Sequence, residues 1–90
     1  MDKIAFKTQL AAEQFDEIVE VSKPANEAMG VHTHPFEAKA LITQGELSIA
    51  VNDVSRLYKL GDVFHLVPNT PHTEQYGPNG VTYLVGRKNA

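Results

Sequence analysis

The chain has 90 residues, a formal net charge of −3 and no cysteine. This length allows a single domain, and the lack of cysteine excludes disulfides and thiolate zinc sites, so any metal must bind through nitrogen and oxygen. The hydrophobic share of 42% and the charged share of 21% are typical of a globular protein. The lysines and arginines are dispersed, which argues against nucleic acid as a partner.

The N-terminal segment begins with the only helical pattern of the chain. Residues 8–16 place Leu10, Ala11 and Phe15, followed by Ile18, at an approximate helical spacing behind Thr8 as a possible N-cap. The segment lacks the apolar region of a signal peptide, and no apolar run is long enough to span a membrane. We therefore predict one short helix, a cytoplasmic location and no membrane partner.

Short runs rich in β-branched and aromatic residues follow the helix. Turn residues separate them, among them the sequences KPAN, QG, VND, GD, PNTP and GPNG. Short strands with turns at regular intervals predict an all-β antiparallel barrel or sandwich. The eight candidate strands are EIVEVS, GVHTH, KALIT, ELSIAV, RLYKL, DVFHLV, HTEQY and VTYLV.

Two of the four histidines stand two residues apart on one candidate strand. Alternate side chains of a strand share a face, so His32 and His34 are expected to point to the same side. Two imidazoles held in this way can bind one metal ion if a neighbouring strand supplies a third ligand. We expect His72, which follows a proline-bounded turn, to be that ligand. His65 is interpreted as a surface or hydrogen-bonded histidine outside the metal set.

Two stretches together resemble the motifs of the cupin superfamily. GVHTHPFEAKALITQGE, residues Gly30 to Glu46, is similar to the first cupin motif, and GDVFHLVPNTPH, residues Gly61 to His72, is similar to the second. The resemblance implies a small antiparallel jelly-roll β-barrel whose mouth holds a divalent metal, usually on three histidines and a glutamate. It therefore implies a single cupin domain over residues 1–90, with a core barrel of about 17–87, and metal ligands at His32, His34 and His72.

The resemblance departs from the common pattern at the glutamate. That ligand usually lies four residues after the second histidine, where this chain has Ala38. Glu37 is adjacent, but strict alternation turns it away from the metal unless a bulge at Pro35 shifts the strand. The fourth position is left to Glu37, to water or to a bound ligand. Tyr76 is a further candidate for the pocket because it shares the parity of His72; Gln75 and Glu74 have weaker claims to the pocket.

Several functions are compatible with this pattern. The metal, which could be iron, nickel, zinc, manganese or copper, is expected to serve a small molecule. The resemblance implies either an oxygenase, isomerase or decarboxylase, or a non-catalytic module that binds or senses a sugar or carboxylate; a third alternative is a structural cupin with vestigial histidines. The apolar runs ELSIAV and VTYLV further predict a homodimer.

Overall fold

The computed structural model describes residues 1–89, which form one helix and six antiparallel strands. The helix α1 (Lys3–Ala12) precedes all the strands. The strands are β1 (Glu17–Lys23), β2 (Ala28–His32), β3 (Phe36–Val51), β4 (Val54–Lys59), β5 (Val63–Leu66) and β6 (His72–Asn89). In the sheet, β3 and β6 form the central pair, with β1 beside β6 and β4 beside β3; β2 also pairs with β6, and β5 with β3. The predicted all-β class with one short N-terminal helix is confirmed.

The prediction of eight strands is wrong because two predicted turns lie inside continuous strands. KALIT and ELSIAV join across residues 44–45 to form β3, and HTEQY and VTYLV join across residues 77–80 to form β6. The glycines at these points shift the register instead of reversing the chain. The first half of β3 pairs with β5 and the end of β6, and the second half pairs with β4 and the start of β6.

The two long strands bend where Gly45 and Gly80 meet. Both glycines have positive φ, +69° and +72°, and a Cβ atom on Gly45 would lie 2.1 Å from the carbonyl oxygen of Gly80. Only a residue without a side chain permits this approach. The bend brings the start of β6, which carries His72, against the second half of β3.

The helix lies earlier in the chain than predicted. It begins after Asp2, whose side chain accepts a hydrogen bond of 2.7 Å from the N–H of Ala5, so Asp2 is the N-cap and Thr8 lies within the helix. The buried pair Phe6 and Leu10 has the i, i+4 spacing that faces the sheet. Positive φ at Gln14 follows the end of the helix, which explains why the pattern does not continue to residue 16.

The core divides into two clusters on the two faces of β3 and β6. Leu41 and Leu84 pair with each other and pack outward against Phe6 and Leu10 of the helix. Their neighbours in the strands point to the opposite face and fill the barrel, which explains the unbroken run of buried residues at 40–42. None of the helices among residues 1–89 is long and apolar enough to cross a membrane.

Candidate metal site

The three predicted histidines meet at one end of the barrel. His32 is the last residue of β2, and it pairs in register with His72, the first residue of β6. His34 lies two residues beyond the end of β2, where its carbonyl accepts a hydrogen bond of 2.7 Å from the N–H of Asn69 in the PNTP turn. The turn that precedes His72 therefore also holds the backbone of His34.

The rings are in mutual contact. Their centroids are separated by 4.1 Å between His32 and His72, 5.0 Å between His32 and His34, and 5.3 Å between His34 and His72. Glu74, two residues after His72, joins them, and one potential ligand atom from each of the four residues lies within 4.8 Å of all the others. The cluster thus consists of three histidines and one glutamate.

Two of the imidazoles are oriented by backbone carbonyls. The Nδ1 of His32 lies 2.7 Å from the carbonyl oxygen of Gly30, and the Nδ1 of His72 lies 2.8 Å from that of Thr70. A carbonyl oxygen only accepts, so each Nδ1 carries a proton and donates it. In a neutral imidazole this leaves the lone pair on Nε2, the arrangement that second-shell hydrogen bonds impose on metal-binding histidines.

The Nε2 atoms point at a carboxylate oxygen. Glu74 Oε2 lies 3.1 Å from Nε2 of His32 and 3.3 Å from Nε2 of His72. Three lone-pair atoms at this distance repel one another unless a cation, either a proton or a metal ion, lies among them. Ligands bonded at about 2.1 Å to one tetrahedral ion are separated by roughly 3.4 Å, so these spacings fit a common ion. His72 Nε2 is also buried and has no hydrogen-bond partner among the described residues. The donor set therefore fits a divalent transition metal.

Burial sets the protonation of the groups around the cluster. It lowers the pKa of His34, and the neighbouring His32 and His72 lower it further, so this imidazole is neutral and able to ligate at pH 7. Burial, followed by the charge of Glu74, raises the pKa of Tyr76 to about 12. The protonated Tyr76 hydroxyl donates a hydrogen bond of 3.2 Å to Glu74 Oε1, which leaves Oε2 for the histidine side.

Two residues considered for the fourth position lie elsewhere. Glu37 accepts a hydrogen bond from Nε2 of His65 and takes no part in the cluster, whereas Ala38 lines the cavity beside it. Pro35 lies in the break between β2 and β3, so a continuous strand does not relate Glu37 to the histidines; the alternation within β3 alone separates Glu37 from Ala38, and Glu37 faces away from the cluster as predicted. Gln75 is corrected as well: its side-chain amide donates to the carbonyl of Glu27, because it has the opposite parity to His72. Tyr76 contacts the cluster through Glu74.

Glu74 is the site residue that the sequence interpretation undervalued. It stands two residues after His72 within β6, so these two side chains project to one face of that strand. The signal was present in the sequence HTE. The resemblance places the usual glutamate in the first motif, whereas here the carboxylate stands two residues after His72, the last residue of the second motif.

A cavity of about 120 Å³ opens beside the cluster. Its wall contains the three histidines and Glu74, apolar side chains that include Phe36 and Leu66, and two basic residues, Lys23 and Arg87. Tyr83 also lines it, and burial, followed by the charge of Glu74, raises the pKa of its hydroxyl. Space for a small molecule therefore adjoins the metal-binding atoms.

Solved structures with the same architecture carry the name cupin. An RmlC-like cupin from Shewanella frigidimarina is 22% identical, with a TM-score of 0.69 over 81% of this chain and 65% of that one. The cupin domain of Cnp3 from Schizosaccharomyces pombe is 19% identical, with a TM-score of 0.72 over 81% of this chain and 55% of that one. The chain has the cupin fold.

A further solved structure with the same fold is an enzyme. The W96F variant of oxalate decarboxylase from B. subtilis is 17% identical, with a TM-score of 0.72 over 80% of this chain and 20% of that one. This chain thus spans less than two thirds of each of the three proteins, and the likeness at these identities concerns the fold. No protein-family model and no curated protein matches the sequence.

Proposed function

We propose that this cupin binds a divalent transition metal through His32, His34, His72 and Glu74 and that the metal holds a small molecule in the adjoining cavity. The observation that carries the proposal is the buried, unpartnered Nε2 of His72, which faces Glu74 Oε2 at 3.3 Å among the described residues. Burial of an unsatisfied nitrogen costs about 1–3 kcal/mol, and a metal ion removes that cost.

The chemistry of the donors narrows the class of metal. Three imidazoles and one carboxylate favour iron, nickel, zinc, manganese or copper over calcium and magnesium, which prefer oxygen ligands. When bound, such an ion acts as a Lewis acid toward a coordinated small molecule. The chain's own residues fix the imidazoles through Gly30 and Thr70, hold Glu74 through Tyr76 and surround the site with apolar walls.

The cavity supports the binding of a small molecule directly, whereas catalytic turnover of that molecule requires a separate test. The fold hosts enzymes such as oxalate decarboxylase, which motivates a search for oxygen uptake or product formation by the metal-loaded protein. We also propose that the protein acts in the cytoplasm as a homodimer.

The experiment compares metal binding by matched histidine variants. Metal-free wild type, His34→Ala and His65→Ala are titrated with zinc by calorimetry, and the metal content of each protein as purified is measured by mass spectrometry. His34→Ala should lose most of the metal while its circular dichroism is unchanged, because His34 lies outside the strands. His65→Ala, an exposed histidine bound to Glu37, should bind as tightly as wild type. Equal metal binding by all three proteins would contradict the proposal.

A further inference from the structure

The cavity beside the metal cluster has a second polar anchor on β6. Arg87 lines the cavity, and its guanidinium carbon lies 5.0 Å from the centre of the Phe36 ring. Its Nε is buried without a hydrogen-bond partner among the described residues. Its nearest acid is Glu17, at 4.0 Å from Nη1, which is the limit of an ion pair. The donors of this guanidinium are therefore largely unused.

The charge of the cavity favours an anion. Arg87 and Lys23 are both in its wall, and Glu74 is the only acidic residue of the described chain that lines it. The protein as a whole is negative, with a formal charge of −3, so a cavity wall with two basic residues and one acidic residue is a local exception that attracts anions.

Size and wall chemistry select among anions. The volume is about 120 Å³, and cavities of roughly 150 Å³ hold a molecule of about six non-hydrogen atoms. Phe36, Phe64 and Leu66 make much of the wall apolar, which disfavours a fully hydrated ion such as phosphate. A planar guanidinium matches a carboxylate through two parallel hydrogen bonds.

We propose that the small molecule bound in this cavity is a carboxylate with a short apolar body, and that Arg87 holds its carboxylate group. The proposal rests on the proposed function for the role of the ligand, but the anchor itself is made of the chain's own residues. Arg87 is accordingly a specificity-determining residue: it selects an acid over the neutral molecule of the same shape. The body of the ligand lies against the apolar wall of the cavity, which includes Phe64 and Leu66.

The test uses isobutyrate and isobutyramide, which have the same shape and differ in charge. Binding of each to metal-free protein is followed by chemical-shift changes of the cavity residues in NMR spectra. Isobutyrate should bind and shift the signals of Ala38, Leu66 and Val85, and isobutyramide should bind at least about tenfold more weakly, since it lacks the charge-assisted hydrogen bonds. Equal binding of the two, or tighter binding of inorganic phosphate, would overturn the proposal.

Variants separate the anchor from the metal site. Arg87→Met should weaken isobutyrate binding by about tenfold or more, and Arg87→Lys should recover part of it; both should keep the metal content of wild type. Arg56→Met is the matched control, because Arg56 also lies over an aromatic ring, that of Tyr58 at 5.3 Å, but outside the cavity. If Arg87→Met and Arg56→Met bind isobutyrate equally, the proposal fails. Because the titrations use metal-free protein, the result does not depend on whether the proposed metal function holds.

Discussion

Substitution of three glycines by alanine tests the strand crossing that shapes the barrel. In Gly45→Ala the new Cβ would lie 2.1 Å from the carbonyl oxygen of Gly80, and the two strands must separate by about 0.9 Å to reach 3.0 Å, the shortest approach that a Cβ tolerates. Gly61 has φ +88° but open space around it, and Gly30 has neither positive φ nor a neighbour within 4 Å. The three positions therefore separate backbone strain from steric conflict.

The expected losses of stability follow from these differences. Left-handed backbone costs about 1–2 kcal/mol for a residue with a side chain, and overpacking adds about 1–3 kcal/mol, so Gly45→Ala should lose roughly 2–5 kcal/mol. Gly61→Ala should lose only about 1 kcal/mol, because the alanine also restricts the unfolded chain. Gly30→Ala should leave the free energy of unfolding unchanged or raise it by up to about 1 kcal/mol.

Urea unfolding followed by circular dichroism measures these free energies. A domain of this length is stable by about 4–14 kcal/mol, so the loss in Gly45→Ala is a large share of the total. If Gly45→Ala is no less stable than Gly61→Ala, the close approach of β3 and β6 at this point is wrong.

Three further predictions concern the site, the helix and assembly. Glu74→Gln should weaken zinc binding in a calorimetric titration, and adding Ala38→Glu should restore it, since Ala38 also lines the cavity; no recovery would argue against a carboxylate ligand. The hydrogen bond from Lys39 lowers the pKa of Glu13 below its ordinary value of 4.5, so the ionised carboxylate stabilises the folded protein. Glu13→Gln should therefore lower the urea midpoint at pH 7, and the difference from wild type should disappear as the pH falls below 4.5 and Glu13 takes up its proton. A difference in urea midpoint that persists in acid would refute this reasoning. Light scattering should report a dimer, because Val54 and Leu57 leave apolar side chains exposed on the edge strand β4; a monomer at micromolar concentration would contradict this.

The sequence allowed the fold class to be predicted because the alternation and the two histidine motifs are local signals. It did not reveal that β3 and β6 are continuous, since a Gly-containing segment predicts a turn whether the chain reverses or only bends. Pairing with a partner strand decides whether the chain reverses or bends, and this pairing is not visible in the local sequence. Residues 77–80, which lie opposite Glu46 of β3, are an example. The helix was misplaced because its N-cap, Asp2, and its first buried residue, Phe6, precede the window that the pattern favoured.

The candidate site divides in the same way. The convergence of His32 and His34 was predicted from strand parity, but His34 lies beyond the end of β2, where the backbone hydrogen bond from Asn69 holds it. The parity rule does hold within β6, where it relates His72 to Glu74. The role of Arg87 has no such signal, because fifteen residues separate it from His72 and only the pairing of β6 with β3 brings it to the cavity.

The central claim is that one metal ion lies among His32, His34, His72 and Glu74. Crystals of the zinc-loaded protein, measured above and below the zinc absorption edge, test it most directly. We predict a single anomalous peak per chain within about 2.0–2.2 Å of one atom from each of the four residues. No peak at this position, or a peak at Glu37 and His65 instead, would contradict the account.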